Sequence, residues 1–157
     1  MSGMLLSKNR KALFEHELIE KFTAGIVLSG AEVKASREKK VNFEGSYIQV
    51  MRGVPCVVNM YIGPYSKQGK TFNEQDARRT RTLLLNRKEI EDLQRELHEK
   101  GKIGIPMAMV LINNLIKIEF GVMRGKKDFQ KKQVVKERQM ERDLQAETKE
   151  VKRMYWR

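Results

Sequence analysis

A mostly β fold with helices set upon it is what the sequence predicts, and three observations carry that reading. Two pairs of β-branched, apolar segments are each joined by a two-residue turn signal. A single segment between them has clear helical periodicity. The length, 157 residues, suits one globular body.

Residues 1–8 show no periodicity and are expected to be flexible. Residues 12–22, continued by 25–28, are β-compatible, and the charges at Glu15, Glu17, Glu20 and Lys21 suit an edge strand. A short helix is expected over residues 32–38. Residues 46–51 and 54–62 read as strands of a hairpin turning at Arg52-Gly53. Cys56 lies inside the second of these, where a lone cysteine is a small buried hydrophobe.

The clearest helix covers residues 87–100. Asn86 is its N-cap, Glu89 three positions on completes a capping box, and Gly101 supplies the stop. Ile90, Leu93 and Leu97 share one face and the remainder is almost wholly polar, so the helix should lie as a lid on the sheet. Residues 103–112 and 115–122 then form a second hairpin, because Asn113-Asn114 tolerates the positive φ that a two-residue turn requires. Five or so strands with a helix inserted late describe a small antiparallel barrel of the OB type.

The charge balance narrows the function. Thirty-two Lys and Arg against 20 Asp and Glu leave a formal charge of +12. Such a surplus calls for a polyanion, and nucleic acid leads, because neutralising phosphates releases condensed counterions. Residues 124–157 hold 12 basic and 6 acidic residues and almost no large aliphatics before Val134, which reads as a solvated arm. No apolar run approaches 18 residues, and Leu5-Leu6 is too short for a secretory core, so neither a membrane partner nor a signal segment is expected and a cytoplasmic location is.

Catalytic signals are missing. His16 and His98 are remote from each other, lack metal-ligand spacing, and read as surface residues. Glu91-Asp92 lies on a charged helix where carboxylates serve solubility, and no phosphate-binding glycine loop is present. No enzyme activity, metal or cofactor is expected.

A specific resemblance sharpens this outline. Asn9-Arg10-Lys11-Ala12, residues 20–37 (EKFTAGIVLSGAEVKASR), Ser46-Tyr47, Asn59-Met60-Tyr61-Ile62, Pro64-Tyr65, Phe72-Asn73 and residues 79–90 (RTRTLLLNRKEI) follow one another in order, with Gly101, Pro106 and Gly125-Lys126-Lys127 behind them. Over about residues 9–138 this pattern resembles the small protein B family, the tmRNA-binding proteins of bacterial ribosome rescue.

The resemblance implies an OB-type body, residues 1–123, with about three helices, that holds the tRNA-like domain of tmRNA. It implies that residues 124–157 are disordered alone and become helical on the stalled 70S ribosome, probing the empty mRNA channel and decoding centre. Alanyl-tRNA synthetase and elongation factor Tu would be indirect partners, acting through tmRNA. Carried over position by position, tmRNA contact falls on Gly30, Glu32, Lys34, Arg37, Asn59, Arg79 and Arg81. Ribosome contact falls on Gly125 as hinge, Lys126, Lys127, Phe129, Lys131, Lys132, Lys136 and Arg138.

Glu32 is the informative member, since an acid on a phosphate-binding face is unfavourable. It should accept hydrogen bonds from bases, fix an adjacent arginine, or serve only as a helix N-terminal charge. Met140, Leu144, Val151 and Tyr155 would form one stripe if the arm is helical, facing the ribosome or packing back on the body. The chain departs from the family at Gln130-Lys131-Lys132, where Asp-Lys-Arg is usual, at Tyr61, where histidine is common, and at Thr82 and Asn86, which replace a usual lysine and histidine. A general rRNA-binding module of the same barrel type is the competing function; it would show no preference for tmRNA.

Overall fold

The structure, a computed structural model, describes residues 3–125. Among them are three α-helices: α1 (Arg10–Glu15), α2 (Gly30–Arg37) and α3 (Arg87–His98). The strands are β1 (Met4–Lys8), β2 (His16–Ile26), β3 (Val41–Asn42), β4 (Tyr47–Met51), β5 (Val54–Val58), β6 (Tyr61–Ile62), β7 (Arg81–Leu84), β8 (Lys102–Ile112) and β9 (Leu115–Gly125). Seven of them form one antiparallel sheet in the order β1-β8-β4-β5-β7-β2-β9. Because β8 also pairs with β9, the sheet returns on itself as a ring, with β1 attached outside it along β8. β3 and β6 make a separate two-stranded ribbon. No helix among the described residues is long and apolar enough to cross a membrane.

Both predicted hairpins form where local chemistry demands. Arg52 and Gly53 turn β4 into β5 at φ 52° and 80°, and Asn113 and Asn114 turn β8 into β9 at φ 51° and 64°. Two successive positive φ values match the right-handed twist of the flanking strands. The core lies within the ring, where Phe22 and Phe120 stack with centroids 5.2 Å apart among Ile48, Val57, Leu83, Met109 and Ile118. Cys56 is buried, as expected, with its thiol directed at the Gln49 carbonyl.

α3 begins with the anticipated reciprocal cap: Asn86 Oδ1 accepts the Glu89 N–H at 2.8 Å, and Glu89 Oε1 accepts the Asn86 N–H at 3.2 Å. Leu93 is fully buried, with Leu97 against the core. Gly104 on β8 is required beneath this lid, since a Cβ there would stand 2.8 Å from Ile48 Cβ and 3.2 Å from the Ile48 carbonyl. Replacing Asn86 with alanine is expected to cost about 1 kcal/mol and lower Tm by roughly 2–4 °C, with serine restoring most of the loss, as read by thermal melting.

Several expectations are corrected. Residues 4–8 are not a loose end but pair antiparallel with β8, Met4 opposite Leu111 and Lys8 opposite Ala108. Residues 12–15 are helical, not strand, because Asn9 caps α1 through the Ala12 N–H and anchors itself by donating to the Pro106 carbonyl at 2.8 Å. β2 is no edge strand, for it lies between β7 and β9. Residues 54–62 are two strands, divided at Asn59 by a φ of 63°. β9 runs on to Gly125, two residues past the anticipated end of the body. His16 is half-buried with Nδ1 3.1 Å from the Ala12 carbonyl, whereas His98 is exposed as expected.

Candidate nucleic-acid interface

The start of α2 sets the geometry of the site. Ser29 stands in extended backbone before the helix, its hydroxyl accepting the Glu32 N–H at 3.2 Å while Glu32 Oε1 accepts the Ser29 N–H at 2.9 Å. Two otherwise unpaired amide donors are satisfied in this way. The same carboxylate reaches across to the segment before β7. Its Oε1 also accepts from Arg79 Nη2, and its Oε2 accepts from Arg81 Nε at 2.7 Å, with Arg81 Nη2 2.6 Å away. Helix-terminal charge and arginine anchor, two of the roles expected for Glu32, are therefore filled at once.

Arg81 corrects the sequence reading. It was expected to touch RNA, yet it is fully buried. Its guanidinium donates four hydrogen bonds, from Nε to Glu32, from Nη1 to the Met60 carbonyl at 2.5 Å and the Arg79 carbonyl at 3.2 Å, and from Nη2 to the Ala77 carbonyl at 2.9 Å, with Nη2 also in ion-pair contact with Glu32. The side chain thus ties Met60, just before β6, the segment ahead of β7, and α2 into one unit and offers nothing to solvent. Its alternation in β7 explains this, since Arg81 and Leu83 point inward and Thr82 and Leu84 outward.

Electrostatics follow from the packing. Burial pushes the Glu32 carboxyl upward, but hydrogen bonds from Arg79, the Ser29 amide and Arg81 outweigh it and hold the pKa below that of an ordinary glutamate. Burial pulls Arg81 downward, and Glu32 opposes that pull. Arg79, its side chain 37% exposed, is the outward half of the cluster.

The remaining body candidates gather around this cluster. Gly30 opens α2 with free space where a Cβ would project, and Lys34 and Arg37 are exposed on the same helix. Lys34 Nζ sits 5.1 Å from the centre of the Tyr65 ring. Asn59 joins from the break between β5 and β6, its side-chain amide donating to the Gly45 carbonyl at 3.2 Å. A concavity of about 330 Å³ opens here, lined in part by Ser29, Glu32, Gly63, Phe72, Asn73 and Arg79.

Two features escaped the sequence reading. Arg78 lies over the Tyr61 ring, its Cζ 5.3 Å from the centroid, and donates through Nη1 to the Asn59 carbonyl at 3.3 Å. Glu38 grips the loop after β6, accepting the Ser66 N–H at 2.8 Å and the Ser66 hydroxyl at 2.7 Å. Neither partner pair is close enough in sequence to form a motif, so only the doublet Arg78-Arg79 hinted at the first. Among the described residues Lys34, Arg37 and Arg78 make no ion pair, which leaves three charges on this face open to an anion.

Gly125 is the last described residue, paired with His16 at the end of β9. Lys126, Lys127, Phe129, Lys131, Lys132, Lys136 and Arg138, with the apolar stripe beyond them, lie outside the described residues. Among the described residues no group of three His, Cys, Asp or Glu side chains is arranged to hold a metal.

Comparison with known proteins is consistent across sequence and fold. The family model described as SmpB protein matches residues 6–150. A protein named SsrA-binding protein from Coprothermobacter proteolyticus is 40% identical over 146 residues, which is 92% of this chain and 97% of that one. Another of the same name from Gloeothece citriformis is 39% identical over 145 residues, covering 92% and 93%. One from Streptococcus thermophilus is 35% identical over 151 residues, covering 96% and 97%. A solved structure described as "tmRNA-SmpB: a journey to the center of the bacterial ribosome" superimposes with a TM-score of 0.66 at 36% identity, spanning 78% of this chain and 85% of that one.

Proposed function

The chain belongs to the SmpB family, and from that premise we propose that it is a non-enzymatic adaptor of the cytoplasm whose work is done by RNA binding alone. It binds tmRNA and brings it to stalled ribosomes for trans-translation. The observation that carries the reading at the level of residues is the Glu32–Arg79–Arg81 cluster beneath a face with unpaired cations.

On this reading the tRNA-like domain of tmRNA lies across α2 and the 59–79 surface. Lys34, Arg37 and Arg79 meet phosphates, Gly30 allows close approach of the RNA backbone to the helix start, and Asn59 shapes the neighbouring corner. Glu32 and Arg81 act from below by fixing Arg79. Residues 126–138 supply the ribosome contacts, with Lys126, Lys127, Lys131, Lys132, Lys136 and Arg138 on rRNA phosphates and Phe129 stacking on an exposed base. Alanyl-tRNA synthetase and elongation factor Tu engage the complex through tmRNA, and those enzymes with the ribosome supply the catalysis.

The test is equilibrium binding to tmRNA against a full tRNA and an unrelated structured RNA at physiological salt with excess competitor. A preference of roughly tenfold or more, about 1.4 kcal/mol, is expected; equal binding would leave only a general rRNA-binding module. Affinity should also fall about 10³–10⁵-fold between 50 and 200 mM salt if six to ten phosphates are neutralised. A flat salt response would remove the phosphate-contact account.

A further inference from the structure

The structure carries, beside the phosphate-binding cations, a pair built for something other than phosphate. Arg78 stands between the second of two short 3-10 turns (Glu74–Asp76) and β7, and its neighbour Arg79 is committed to Glu32. Arg78 itself is exposed and unpaired by any acid among the described residues. Its guanidinium is nevertheless held in place. The Tyr61 ring lies under it with the centroid 5.3 Å from Cζ, and the Asn59 carbonyl accepts one of its N–H groups at 3.3 Å.

Both holds depend on local backbone. Asn59 adopts φ 63°, which breaks β5 from β6, and its amide is pinned to the Gly45 carbonyl. Tyr61 is fixed in β6 by its pairing with Asn42. A guanidinium lying over a fixed ring and tethered at one nitrogen has lost much of the freedom that an exposed arginine normally keeps. Guanidinium is also planar and weakly hydrated, so a face turned away from the tyrosine is a suitable surface for another flat π-system. The companion pair, Lys34 over Tyr65, offers no such plane because an ammonium is a point charge.

We propose that Arg78 on Tyr61 is a nucleobase-stacking platform, taking an unpaired base of the RNA that lies on the Glu32–Arg79 face. The proposal rests on the function assigned above. It adds a base contact to a face otherwise explained by phosphate contacts, and it selects RNA that presents a splayed-out base.

Charge and planarity can be separated in the full-length protein. The variants are Arg78→Lys, which keeps the charge, Arg78→Ala, which loses both, and Tyr61→Phe, which keeps the ring. Each is titrated into tmRNA carrying 2-aminopurine at single unpaired positions of its tRNA-like domain, with salt dependence and thermal melting followed in parallel. Wild type should quench one such position. Arg78→Lys should abolish that quenching and weaken binding roughly tenfold while its salt slope stays that of wild type. Tyr61→Phe should behave as wild type.

If Arg78→Lys binds and quenches as wild type, while Arg78→Ala only shallows the salt slope by about 0.7–0.9, Arg78 is a phosphate contact and the platform is wrong. If Arg78→Lys lowers the melting temperature and affinity without a selective change at any labelled base, the pair is structural and the proposal is again wrong. Failure of wild type to prefer tmRNA at all would instead overturn the underlying function, so the two failures are distinct.

Discussion

Glu32→Ala is expected to destabilise the folded body by about 3–5 kcal/mol, the cost of removing one partner from a buried ion pair. Arg81, fully buried, would keep its backbone acceptors but lose its only counter-charge among the described residues. Ser29 would lose half of its capping box, and Arg79 would be released to solvent. Glu32→Gln preserves the shape and an acceptor for Ser29 but not the charge, so its loss should be smaller. Chemical denaturation measures the first effect, and tmRNA titration of the still-folded glutamine variant measures the second. Weaker binding with an intact fold is the signature of a misdirected Arg79. Wild-type stability in Glu32→Ala would show that the cluster contributes no net energy.

The pH dependence follows from the same cluster. Glu32 has a folded-state pKa below its unfolded value. Its contribution is therefore fully present above the ordinary glutamate pKa of about 4.3 and is lost as pH falls through the lower folded value. Wild type should lose stability in that acid window more steeply than Glu32→Gln, which has no proton to take up there. Equal acid slopes for the two proteins would remove Glu32 as the responsible group.

The second large effect concerns the arm. Ending the chain after Gly125 retains every strand and helix of the described body, including the final β9 pairs with β2 and β8. tmRNA affinity should then remain within a few-fold of the full chain, whereas peptide tagging on stalled ribosomes should be abolished. Alanine at Lys131, Lys132, Lys136 and Arg138 together should reproduce much of the loss in the full-length chain. In vitro translation of a message lacking a stop codon reads tagging, and filter binding reads tmRNA. Loss of tmRNA binding in the truncated chain would refute the division of labour between body and arm.

Three of the departures expected from the resemblance fall within the described residues. Tyr61 provides the ring beneath Arg78. Asn86 is the working N-cap of α3. Thr82 points outward on β7. The departure at Gln130-Lys131-Lys132 lies outside the described residues.

By itself the sequence determined what is encoded within a few residues. The two hairpin turns, the reciprocal cap at Asn86 and the helical spacing of Ile90, Leu93 and Leu97 all depend on partners no more than about one turn away, so local chemistry specifies them, whereas the Ser29 cap and the start of α2 at Gly30, two residues before the expected 32, emerged only in the structure. The ordered motifs likewise named the family, because their order and spacing carry that information directly. The tertiary structure decided what depends on distant partners. The β1 strand exists because β8 is there to receive it, and β2 is interior because the ring closes on both its sides. Arg81 turned from expected RNA contact to buried anchor because Glu32 is 49 residues away and Met60 is 21. An isolated arginine reads as surface charge; only closure of the chain around it can provide the carboxylate and carbonyls that make its burial possible.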